Sequence, residues 1–135
     1  MKELKMESCN IYYDSWQMQC CGDPFSVGDK IEWTCEIPKK DVNRHGVKID
    51  FLEEHHGDET HTIVGTVTKI ISERSESPQG EKVVSYHKVD VVYDELQHAD
   101  GWESEYESDD VVHRTFWGYI VELKDVTLKK LPARK

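Results

Sequence analysis

The sequence predicts a mainly β fold: a small antiparallel barrel or strongly curved sheet, SH3-like or OB-like, with at most one short helix. Three observations predict it. Apolar residues alternate with polar ones in several short runs, the period-two signature of strands buried on one face. Turn residues, often glycine, separate these runs at short spacing, as in compact all-β domains. The 135 residues amount to one domain, 1–135, and four Trp, six Tyr and three Phe supply enough large side chains for a core.

Taken in order, Lys2–Glu7 reads as one helical turn or a frayed end. Val27-Gly28-Asp29-Lys30 reads as a turn, with Gly28 free to take a positive φ. Ile31, Trp33, Cys35 and Ile37 then alternate with Glu32, Thr34 and Glu36 as a strand. After the connector Pro38–Asp41 and a turn at Asn43-Arg44-His45-Gly46, Val47, Ile49 and Phe51 alternate with Lys48 and Asp50. Ile63–Ile71 is rich in β-branched residues, and its Gly65 marks a bulge or a close crossing of another strand. Ser72–Glu81 is polar, contains Pro78 and Gly80, and reads as a mobile hairpin loop. Lys82–Tyr93 is a second β-branched run, while Asp90–His98 is the best short-helix candidate. Trp117, Tyr119, Val121 and Leu123 form the last alternating strand, with Trp117 and Trp33 expected to face a common core.

Seventeen Lys and Arg against twenty-seven Asp and Glu give a net charge of -10. That balance disfavours a nucleic-acid backbone or an anionic membrane surface as partner, because both repel such a surface. No stretch approaches the roughly 18 apolar residues of a spanning helix, and no signal-type apolar core follows Met1, so a soluble, cytoplasmic protein is expected, with no membrane partner. Cys9, Cys20, Cys21 and Cys35 are an even set. In a reducing compartment they are expected as thiols, and the adjacency of Cys20 and Cys21 argues against a disulfide framework.

One string is distinctive: Trp16-Gln17-Met18-Gln19-Cys20-Cys21-Gly22-Asp23-Pro24-Phe25-Ser26-Val27-Gly28-Asp29-Lys30-Ile31-Glu32-Trp33. It resembles the opening motif of a family of small uncharacterised proteins from bacilli and actinomycetes. Glu53-Glu54-His55-His56-Gly57, Ile63-Val64-Gly65-Thr66-Val67 and Gly118-Tyr119-Ile120-Val121-Glu122-Leu123 resemble later pieces of the same family. The resemblance implies a bacterial, cytoplasmic, single-domain protein and transfers no catalytic residue.

Two constellations carry chemistry. Cys20 and Cys21 offer thiolates and His55, His56 and His61 offer imidazoles, a mixed sulfur and nitrogen set that zinc accepts. The spacing is not that of a familiar zinc motif, and a core thiol beside a polar histidine loop explains the same residues. No motif fixes a base beside a nucleophile, and no phosphate loop is present, so no enzymatic activity is expected. The second constellation is an acidic segment, 94–110, which holds Asp94, Glu95, Asp100, Glu103, Glu105, Glu107, Asp109 and Asp110 without a Lys or Arg. Outside it, nineteen acids stand against seventeen bases, so the segment carries nearly all the excess charge. On a strand, Glu103, Glu105 and Glu107 would form a row opposite Trp102 and Tyr106. A solvated face is the plainer reading of such a row.

The residues thus favour a non-enzymatic binding or interaction module. Its expected docking surface for a basic protein is Trp102, Glu103, Glu105, Tyr106 and Glu107. The alternative is a zinc protein using Cys20, Cys21, His55 and His56.

Overall fold

The computed structural model describes residues 3–78, 90–103 and 112–132. The elements run β1 (Glu3–Asp14), α1 (Ser15–Cys21), β2 (Phe25–Ser26), β3 (Lys30–Glu36), β4 (Val42–Arg44), β5 (Val47–Ile49), β6 (Phe51–Glu53), β7 (His61–Pro78), β8 (Asp90–Leu96), β9 (His98–Ala99) and β10 (Val112–Lys130). The fold is mainly β with one seven-residue helix among the described residues, as the alternation predicted.

Two long strands form the frame. β7 and β10 pair antiparallel from His61↔Lys130 to Pro78↔Val112. β1 lies on the other edge of β10, from Glu3↔Lys129 to Asp14↔Gly118. The other edge of β7 is shared: β3 takes its first part, Lys30↔Thr66 to Cys35↔His61, and β8 its second, Ile70↔Leu96 to Glu76↔Asp90. Short β6 links the two sides, pairing Cys35↔Glu53 antiparallel and Ile11↔Phe51 parallel. The sheet therefore curves until its pairings close a ring, β10-β1-β6-β3-β7, with β8 added outside it. The β1–β6 pair is parallel, which departs from an all-antiparallel expectation. β6 enters after the β4–β5 hairpin rather than from a direct β1 hairpin, so its direction is not tied to β1 by a tight turn.

Three register shifts in the β7–β10 ribbon, at Phe116/Gly118, Glu122/Leu123 and Lys124/Thr127, supply the curvature. The last lies opposite Gly65, where a Cβ would sit 3.2 Å from the Lys124 carbonyl oxygen, so the expected close crossing at Gly65 is present. The first resets the alternation. Tyr119, Val121 and Leu123 are buried, but Trp117 falls at the irregularity and is 50% exposed, its indole N–H donating to Ser75 Oγ. Trp117 and Trp33 thus do not share a core; Phe116 packs on the core instead.

The core has two compartments because the sheet is covered on both faces. Ile11, Ile63, Ile70, Val121 and Leu123 belong to the larger one. Their sequence neighbours Tyr12, Ile71 and Ile120 point the other way and pack with Ile49 of β5 and with Val42 and Val47. The β4–β5 hairpin that covers them turns at His45 and Gly46, both at positive φ (53° and 70°), the conformation a tight two-residue hairpin turn requires.

Three expectations are corrected. Residues 3–7 begin β1 rather than a helical turn, because β10 offers them a paired edge. Ser72–Pro78 is not loop but the continuation of β7. Its polar side chains find partners that hydrophobic periodicity cannot register. The buried Glu73 carboxylate accepts from the Tyr12 and Tyr93 hydroxyls (2.8 and 2.9 Å) and from Arg44 (2.7 Å), while Arg74 bonds Asp94 and Glu76. Residues 79–81 of the expected loop, and 82–89 of the run after it, lie outside the described residues. Asp90–His98 is no helix: Asp90–Leu96 pairs with β7, and His98–Ala99 pairs with β2. Val91, Val92 and Tyr93 are strand formers, and an available edge decides the matter.

Candidate functional site

β6 is three residues long, and its Phe51 and Glu53 share the buried face. Glu53 is therefore an inward-facing carboxyl, only 5% exposed. The chain leaves β6 through two histidines, of which His55 is folded back against Glu53, and turns on at Gly57, at φ 117°. His55 Nδ1 lies 2.8 Å from Glu53 Oε2. The other two polar atoms of this pair, Glu53 Oε1 and His55 Nε2, are buried without a hydrogen-bond partner. Burial pushes the Glu53 carboxyl up to about 7; the His55 contact opposes the shift, while Glu54 and Asp14 add to it.

His56 serves a different purpose. Its Nδ1 sits 2.5 Å from Gln17 Oε1, its ring lies 4.6 Å from that of Trp16, and its backbone N–H donates to Glu54 Oε2. Gln17, 2% exposed, also donates from Nε2 to Glu54 Oε1 at 2.7 Å. These contacts fasten α1 to the 54–56 turn. A buried glutamine between a glutamate and a histidine is fully used, which accounts for a polar side chain at a core position of the helix.

The described members of the expected zinc set are not gathered in one place. α1 turns Gln17 and Met18 inward and leaves Cys20 exposed, so Cys20 does not join the histidines. His55 is turned to Glu53 and His56 to Gln17. Among the described residues no three His, Cys, Asp or Glu side chains are grouped to hold a metal ion. The Cys21 side chain lies outside the description. Cys9, Cys20 and Cys35 are unbridged, and burial pushes the Cys9 and Cys35 thiols up to about 12.

The acidic segment is also rearranged where it is described. Asp94–Leu96 belongs to β8, and Asp100 forms a turn in which its Oδ1 accepts from the backbone N–H of Trp102 (2.8 Å) and Glu103 (3.0 Å). Those bonds hold its carboxyl below the usual range. Trp102 is 64% exposed, but Glu103 is buried at a φ of 37°, so the acid points inward and the aromatic outward. The turn is pinned under α1: Gln19 Nε2 donates to the Gly101 carbonyl, and Gly101 N–H donates to the Tyr119 hydroxyl. Glu105, Tyr106 and Glu107 lie outside the described residues.

The Glu53–His55 pair stands at a cleft of about 530 Å³ between β3 and the segment that follows α1. Tyr13, Phe25 and Trp33 form its aromatic wall, with Trp33 edge-on to both other rings at 5.0 Å. Four acids line it, Asp23, Asp29, Glu32 and Glu53, against one lysine, Lys30. The cleft exists because the ring of strands is incomplete there. β3 pairs with β7 over Lys30–Cys35, but its opposite edge meets β6 only at Cys35 and Glu36. One further bond, Glu54 N–H to the Thr34 carbonyl at 3.0 Å, closes that edge as far as Thr34. Among the described residues no strand pairs with Lys30–Trp33 on the cleft side. Neighbouring histidines marked the His55 region in the sequence; Glu53 carried no such mark, since only the fold shows that it is buried and its partner incomplete.

No curated protein and no solved structure matches the chain. The described residues contain no helix long and apolar enough to cross a membrane. The family of unknown function DUF6578 matches residues 7–125, and the chain belongs to that family.

Proposed function

We propose that the protein is a non-enzymatic interaction module that takes up an extended segment of a basic partner protein along the open edge of β3. The observation that carries this reading is the unpaired edge itself, set beside an acidic cleft. Residues of an antiparallel strand direct their backbone N–H and C=O to alternate sides. The Thr34 carbonyl points to the cleft side, so Glu32, two residues earlier, offers its N–H and C=O there as well. An exposed strand edge is a template for pairing with another chain, and strand addition is a recurrent mode of peptide recognition. Asp23, Asp29 and Glu32 against the single Lys30 favour a basic occupant. Of the expected docking residues, Glu103 is withdrawn from the surface and Trp102 remains as exposed aromatic area, while Glu105, Tyr106 and Glu107 lie outside the described residues.

The test is titration with a blocked peptide of alternating lysine and valine, followed by amide resonances of β3. Binding should shift the Glu32 amide most. The same peptide with N-methyl groups on alternate amides cannot complete a ladder and should bind far more weakly. Equal binding of both peptides would reject strand addition.

A further inference from the structure

The cleft end at Glu53 and His55 holds two buried polar atoms for which the protein provides no partner. With the Glu53 carboxylate ionised and the His55 ring neutral, His55 Nδ1–H donates to Glu53 Oε2 and His55 Nε2 is left as an acceptor. Glu53 Oε1 is an acceptor too. Both residues line the cleft, and its inner end holds these two acceptors, covered from solvent and without a donor from the protein. Buried polar atoms of native proteins are almost always paired, and the missing group here is a hydrogen-bond donor. A primary ammonium offers three N–H donors at a single compact centre. The neighbouring aromatic wall of Tyr13, Phe25 and Trp33 suits the apolar stem of such a side chain and the charge it carries. We propose that Glu53 and His55 form a specificity site for one primary ammonium group, supplied by a lysine of the segment that adds to β3.

This inference rests on the strand-addition reading for the source of the ammonium, but the site itself can be tested without it. An incoming cation also stabilises the ionised carboxylate of Glu53, which burial alone disfavours.

The experiment titrates the full chain with three blocked peptides that differ at one central position: lysine, norleucine or arginine. The lysine peptide should bind about ten-fold more tightly than the other two, and Glu53→Gln should erase that preference. Norleucine or arginine binding as tightly as lysine overturns the ammonium site and leaves strand addition standing. If none of the peptides binds, strand addition falls, and n-butylammonium chloride decides the site alone. A saturable shift of the His55 ring resonances that disappears in Glu53→Gln supports it; an unmoved His55 ring overturns it.

Discussion

His55 Nδ1 sits 2.8 Å from Glu53 Oε2, two residues back in the chain, so a turn histidine is folded onto a buried strand carboxyl whose second oxygen has no partner. A two-residue separation on a continuing strand would leave both side chains parallel on one face. The turn after β6 brings them into contact, beside the stretch of β3 that no strand pairs on that side among the described residues. The following expectations test this arrangement and the fold around it.

The carboxyl of Glu53 is raised to about 7 from an ordinary value of 4.5, so the folded state holds its proton more tightly than the unfolded state does. Stability contributed by this group is therefore present at low pH and lost as pH rises from the unfolded value through about 7. The loss should be on the order of 2–3 kcal/mol. Asp14 and Glu36 are also raised, mainly by burial, and add losses of the same sign. Urea unfolding of the parent and of Glu53→Gln across this range isolates the Glu53 part. The variant should be the more stable at about pH 8 and should lose that advantage at about pH 5. Parallel curves would show that Glu53 is ionised in the folded protein throughout.

Trp33 is wedged edge-on between Tyr13 and Phe25, whereas Trp117 is half exposed at a register shift. Trp33→Ala should cost about 3 kcal/mol, near the lower end for a large aromatic because the ring is only partly buried. Trp117→Ala should cost less than about 1 kcal/mol. Thermal unfolding of the two variants reads the difference directly, and equal losses would place Trp117 in the core.

At Gly118, β10 lies close against β1. An added Cβ would lie 2.6 Å from the Tyr13 carbonyl oxygen and 2.8 Å from the Tyr12 hydroxyl, and the first of these is backbone that cannot swing aside. Gly118→Ala should therefore cost about 2 kcal/mol by overpacking. Gly46→Ala meets no such obstacle within 4 Å, but its φ of 70° is strained for alanine, so it should cost less, about 1 kcal/mol. Chemical denaturation gives both values; a neutral Gly118→Ala would mean the strands can separate there.

The cysteines should divide by exposure. Cys20 should react with a thiol reagent in the native protein, while Cys9 and Cys35, buried and held protonated, should react only after unfolding. Mass mapping of labelled peptides checks this. Rapid native labelling of Cys35 would show that β3 opens from β6.

Strand segments with period-two hydrophobicity were legible in the sequence. The alternation expected over Ile31–Ile37 holds through Glu36 and stops before the exposed Ile37. Ile63–Ile71 is strand as its β-branched residues predicted, and of Trp117–Leu123 the alternating Tyr119, Val121 and Leu123 are buried. Gly28 and Gly65 sit where a positive φ and a close crossing occur. Segments whose partners are polar were not legible. Ser72–Pro78 looks like loop by composition, yet Glu73, Arg74 and Ser75 are satisfied by Tyr12, Tyr93, Arg44, Asp94 and Trp117, residues far away in the chain. Trp117 was misplaced for a related reason: one irregular residue in a strand reverses the alternation before it, and the sequence does not mark where that residue falls.

The candidate site divides in the same way. Sequence singled out His55 and His56 by residue type and grouped them with Cys20 and Cys21, because type and spacing are all it contains. The tertiary structure separated Cys20 from the histidines, giving His56 to Gln17 and leaving Cys20 on the surface. It paired His55 with Glu53 because β6 is held between β1 and β3 with Glu53 facing inward. By itself, then, the sequence determined a β-rich acidic chain and the location of most of its strands, which are local consequences of side-chain alternation. Which edges meet, which edge stays open, and which carboxyl is buried beside it depend on contacts between residues distant in the chain, and only the closed ring of strands decided them.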